Sequence, residues 1–125
     1  MANATAPTAD SGLGTSAPDI ARVRATARQL LAADAEPPER EELAEMTALL
    51  REDIASLIPA VEALTRTLPE TDIPRACALA CIGEARMRLR LGEGDTDLVR
   101  QSVAVRMART ANALADHHQT LRRTP

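Results

Sequence analysis

Not one of the 125 residues is Phe, Tyr or Trp, so any core this chain builds must be made of aliphatic side chains. Alanine supplies 25 positions and leucine 15, a composition that favours helices over strands. Aromatic rings are the usual platforms for stacking bases, sugars and cationic ligands, and their absence argues against most such binding roles. No period-two alternation outweighs the helical pattern, and no internal repeat of 20 to 50 residues is visible.

The length suits one domain, expected over residues 18–123. Residues 1–17, rich in Ala, Thr, Gly, Ser and Pro, read as a disordered tail. They lack the basic start and apolar stretch of a secretory signal, and no window is apolar enough to span a membrane. The expected location is the cytoplasm, where two cysteines would not form a structural disulfide.

Four amphipathic segments follow the tail. Ser16-Ala17-Pro18-Asp19 offers a capping hydroxyl, an early proline and a carboxylate, predicting a helix over about 18–34 that stops at Pro37-Pro38. The second, over about 39–68, opens on Glu39, Glu41 and Glu42 and carries the clearest stripe: Leu43, Met46, Leu50, Ile54, Leu57, Val61, Leu64 and Leu68. Pro59 falls on the side away from that stripe and is expected to kink or divide the helix. Leu49 and Ile58 flank the stripe and predict apolar surface left for self-association.

The third segment, about 72–91, has Thr71 or Asp72 as its cap and ends at Gly92-Glu93-Gly94-Asp95, which supplies a glycine suited to a left-handed stop. The fourth, about 95–121, has its apolar side at Val99, Val103, Met107, Thr110 or Ala111, Leu114, His117 and Leu121. Short connections between such segments predict an all-α, antiparallel four-helix up-down bundle.

Within the third segment, the small residues around Cys77, Cys81 and Gly83 read as a packing seam, with Glu84 and Arg88 as an ion pair beside it. Zinc held by Cys77, Cys81, His117 and His118 is disfavoured within one chain. A tight turn at Gly92 would set Cys81 level with Arg106, leaving His117 eleven residues away, roughly 16 Å along the axis. Three residues separate the cysteines, one more than in thioredoxin-like redox motifs, so inert thiols are expected. Of the adjacent His117 and His118 only one can face the bundle, and Asp116 could orient either ring. No phosphate loop, dinucleotide fingerprint, nucleophile elbow or metalloprotease helix is present, so neither a cofactor nor catalytic residues are predicted.

The charge is polarised. Residues 1–70 hold six Arg against twelve acids, net −6, and residues 71–125 hold nine Arg against six acids, net +3. All fifteen basic residues are Arg, with no Lys, which fits a GC-rich coding bias better than selection for phosphate. Arg86, Arg88 and Arg90 fan around their helix, which disfavours nucleic acid, but with Arg106 and Arg109 they could form a surface for an acidic protein partner.

The segments Leu57-Ile58-Pro59-Ala60-Val61-Glu62, Leu68-Pro69, Asp72-Ile73-Pro74-Arg75 and Cys77 to Arg86 resemble an uncharacterised actinobacterial family labelled as natural-product biosynthesis proteins. The resemblance spans roughly residues 22–121, including Leu114-Ala115-Asp116-His117, and transfers no reaction or cofactor. The resemblance implies a setting in secondary metabolism, while the lack of catalytic motifs and the long apolar stripe of the second segment predict an accessory or regulatory protein that acts through contacts with a protein partner or as a homo-oligomer. The alternative is a ligand-binding or enzymatic pocket near Pro59, Cys77, Cys81 and Glu84, because pairing across Pro69 would set Cys81 level with Pro59.

Overall fold

The computed structural model describes residues 17–32, 34 and 36–123, so the expected disordered tail falls outside the described residues except at Ala17. Four helices make up the described chain: α1 (Ile20–Leu31), α2 (Arg40–Thr65), α3 (Ile73–Arg88) and α4 (Asp97–Arg123), with no strand among the described residues. It is the all-α four-helix bundle that the aliphatic periodicity predicts.

Local chemistry sets each start. Asp19, expected at the third helical position, is itself the cap of α1 and accepts from the Arg22 amide at 3.0 Å. Asp72 caps α3 in the same way through the Arg75 amide at 2.9 Å, with Pro74 in the first turn, where a missing N–H costs nothing. Thr96 Oγ1 accepts from the Val99 amide at 3.1 Å before α4. At the end of α2, the Thr65 and Thr67 hydroxyls donate to the Glu62 and Leu64 carbonyls, and residues 66–68 form a turn instead of further helix.

Pro59 does not divide α2, which runs unbroken from Arg40 to Thr65 with Pro59 exposed on its outer side. Of the two glycines in the Gly92-Glu93-Gly94 stop, the left-handed one is Gly94, at φ +94°, where a Cβ would lie 2.5 Å from Val99 Cγ1.

α2 and α4 share the broadest contact, and α1 and α3 flank this pair without touching each other. Arg24 of α1 reaches Asn112 and Asp116 of α4, while Arg86 of α3 pairs with Glu62 of α2, so each flanking helix runs antiparallel to its neighbours. The two central helices are therefore parallel. Both bury wide faces: Leu50, Ile54, Leu57 and Val61 on α2 and Met107, Ala111 and Leu114 on α4 belong to one core made mainly of aliphatic groups.

Ile58 belongs to this core and Leu49 is half-buried, so the expected excess apolar surface on α2 is already covered inside the monomer. Leu64 and Leu68 pack at the periphery as half-buried residues. On α4 the inward imidazole is His118 rather than His117, and Val99 is largely solvent-facing.

Candidate functional site

The segment between α3 and α4 decides which residues meet. Arg51 of α2 donates to the Leu89 and Leu91 carbonyls at 3.2 and 2.7 Å, and Arg100 of α4 donates to the Gly94 carbonyl at 3.2 Å. These straps lay the segment along α2 instead of letting it turn tightly. As a result α4 starts further down the bundle, and Cys81 lies beside Thr110 and Ala113 rather than opposite Arg106.

Cys81 and Glu84 share a groove of about 170 Å³ with Arg88, Arg109, Thr110 and Ala113. Burial pushes the Cys81 thiol above its ordinary pKa, and the negative charges of Glu84 and Asp116 add to the shift. Cys77 is exposed, and so is Pro59; neither lines this groove. The four residues expected around one pocket are thus divided, with only Cys81 and Glu84 brought together. The Glu84–Arg88 ion pair does not form, and Arg86 instead meets Glu62 at 2.6 Å.

The five arginines considered as a partner surface also separate. Arg86 is tied to α2, Arg88 and Arg109 line the groove, and Arg90 and Arg106 are exposed. Asp116, expected to orient an imidazole, pairs with Arg24 at 2.8 Å. His118 is buried, and that burial, with Arg122 nearby, lowers its pKa below the ordinary histidine value. Among the described residues no group of three or more His, Cys, Asp or Glu is placed to hold a metal ion.

A second recess lies between the first half of α2 and the start of α4. Leu43, Ala44, Thr47 and Ala48 line one wall; Arg51, Glu93 and Arg100 line the rest of a cavity of about 70 Å³. Both arginines there are already engaged by backbone carbonyls, and Arg100 also meets Asp97 at 2.6 Å, which holds that carboxyl below its usual range.

The most unusual surface is on α3. At about 100° per residue, Ile73, Ala76, Ala80, Gly83 and Met87 fall in one sector of roughly 80°, opposite the buried Ala78, Ile82 and Ala85. Every member is exposed, Ile73 by 74% and Met87 by 67%, and the sector holds no charge. The sequence pattern contained this face, since steps of three, four, three and four run from Ile73 to Met87, but their small side chains make a faint signal beside the Cys81 side of the same helix.

The fold and these surfaces define a helical bundle with a core free of Phe, Tyr and Trp, an uncharged outer helix face and ionisable groups that are dispersed or engaged with neighbours. The chain belongs to the family of unknown function DUF6415, which matches residues 21–123. No curated protein and no solved structure matches it. Among the described residues no helix is long and apolar enough to cross a membrane.

Proposed function

We propose that this protein acts through contacts with other proteins, as a cytoplasmic accessory or regulatory component of natural-product biosynthesis in an actinobacterial host. The single observation that supports this reading is the uncharged α3 face, where Ile73 and Met87 stand exposed on a helix whose opposite side already satisfies the core. The pathway comes from the family resemblance, and the contact mode comes from the surface. Arg90, just after α3, is exposed and without an ion pair among the described residues, as is Arg106 on α4, and both are free to meet an acidic partner, whereas Arg86 is held by Glu62.

The test is recovery of partners from the native host with the full chain, its Ala80→Glu variant and an exposed-site control, Glu45→Lys. A biosynthetic enzyme or regulator that copurifies with the wild type and the control, but not with Ala80→Glu, supports the reading. Equal recovery by all three, or recovery of nothing, overturns it. A second reading, a small-ligand or enzymatic site, keeps one feature in its favour: the groove that gathers Cys81, Glu84, Arg88 and Arg109. A melting shift produced by pathway metabolites and abolished by Arg109→Ala would favour it.

A further inference from the structure

We propose that the cavity between the first half of α2 and the start of α4 binds a small carboxylate, its head on Arg51 and Arg100 and its short aliphatic chain on Leu43, Ala44 and Ala48. This site goes beyond the protein-contact reading above and does not depend on it. The donors on its lining are guanidinium N–H groups, because the Thr47 hydroxyl has already given its proton to the Leu43 carbonyl at 2.8 Å. An occupant must therefore bring acceptors.

One of those donors has none. Arg100 is 18% exposed; its Nη1 donates to the Gly94 carbonyl and its Nη2 to Asp97, but its Nε is buried without a hydrogen-bond partner among the described residues. Folded proteins rarely keep such a group unless water or a ligand completes it. Arg51 lacks charge compensation instead. Its Nη1 and Nη2 donate to the Leu89 and Leu91 carbonyls at 3.2 and 2.7 Å, yet among the described residues no carboxylate pairs with it. The negative end of α3 offsets about half of that charge. Asp97 is 85% exposed and shared between Arg100 and Arg40, and Glu93 lines the cavity without pairing with either arginine. The carbonyl bonds hold both guanidiniums in place beforehand, so an entering anion has no side chain to reorganise.

Size and lining set the ligand class. The cavity holds about 70 Å³, roughly half of the ~150 Å³ that accommodates a benzene ring, so about four non-hydrogen atoms fit inside. A carboxylate with one or two further carbons matches that space, with its oxygens on the arginines and its carbons on the aliphatic wall. A longer chain would have to leave past the exposed Glu93. Phosphate would set charged oxygens against Leu43, Ala44 and Ala48, a contact without compensation.

The test is an NMR titration of the full chain with sodium acetate, propionate, phosphate and chloride at constant ionic strength, following backbone amides and arginine Nε–H signals. Acetate and propionate should give saturable shifts with a Kd of about 1 mM, centred on Leu43 to Ala48 and Glu93 to Arg100, and the Arg100 Nε–H should move with them. Ala48→Leu, which fills the cavity from an exposed position, should abolish saturation and leave the fold intact. Arg100→Lys keeps the charge but removes the Nε–H and should weaken binding about tenfold, whereas Glu93→Gln removes a competing negative charge and should tighten it about threefold. Linear shifts equal to those from chloride overturn the site, as does saturation that survives Ala48→Leu. Phosphate saturating at lower concentration than propionate overturns the carboxylate assignment.

Discussion

Arg22 of α1 donates to the carboxylate of Asp53 on α2, closing an ion pair in which Asp53 is 3% exposed and Arg22 is about half exposed. Asp53 Oδ2 has no hydrogen-bond partner among the described residues, so this guanidinium is the main counterweight to a buried charge. The same contact raises the Arg22 pKa, first through its hydrogen bond to Asp53 and then through the charge. Truncation by Arg22→Ala should cost about 2 kcal/mol, because it strands the carboxylate. The Arg22→Ala, Asp53→Leu double variant should recover most of that loss. Urea unfolding of the four members of the cycle checks this, and additive losses would remove the coupling.

His118 makes stability depend on pH. Its folded-state pKa lies below the unfolded value, through burial first and Arg122 second, so the unfolded chain takes up its proton at higher pH than the fold does. The stabilisation is complete above the unfolded histidine value, about 6.5, and declines as pH falls through the folded pKa. Unfolding midpoints measured from pH 7.5 down to 5.5 should fall for the wild type and fall less for His118→Leu. Parallel slopes would assign the dependence to other groups.

Gly94 and Gly83 should answer an alanine substitution with opposite signs. At Gly94 the positive φ and the Val99 side chain both oppose a Cβ, and Gly94→Ala should lose about 1–2 kcal/mol. At Gly83 the helix is open to a methyl group, and Gly83→Ala should gain about 0.5–1 kcal/mol in the dilute monomer. Thermal melts of the two variants are enough to decide.

The two thiols should differ in reactivity. Cys77 is exposed, contrary to the expectation of two inert cysteines, while Cys81 is buried with its pKa raised. A thiol reagent at pH 8 should consume one equivalent quickly and the second only as fast as the bundle opens. Cys77→Ser should remove the fast phase alone, and a fast phase that survives it would place reactivity at Cys81.

The helices were legible in the sequence because Leu43, Met46, Leu50, Ile54, Leu57 and Val61 repeat at threes and fours with large side chains. The width of the α4 face was not: α4 touches all three other helices, and it buries Ala104, Ala108 and Ala115, residues whose methyl groups carry little pattern. Asp53 stands three residues after Leu50 and four before Leu57, so a core-facing carboxylate was readable there, but Ile54 satisfies the same spacing and draws attention away. The placement of Cys81 depended on how residues 89–96 run, and periodicity within helices says nothing about the path between them. The exposed α3 sector was written in the steps from Ile73 to Met87, although which side of α3 meets the core follows only from packing.

Because α1 and α3 sit on opposite flanks of the α2–α4 pair and share no contact, losing one leaves the other's seat intact. Cooperative melting must then pass through the central pair, and the twelve residues of α1 can peel off as a separate leaf. Amide protons of Val23 to Leu30 should exchange well before those of Leu50 to Val61, giving the molecule a hinged outer plate that opens without disturbing the surface carried by α3.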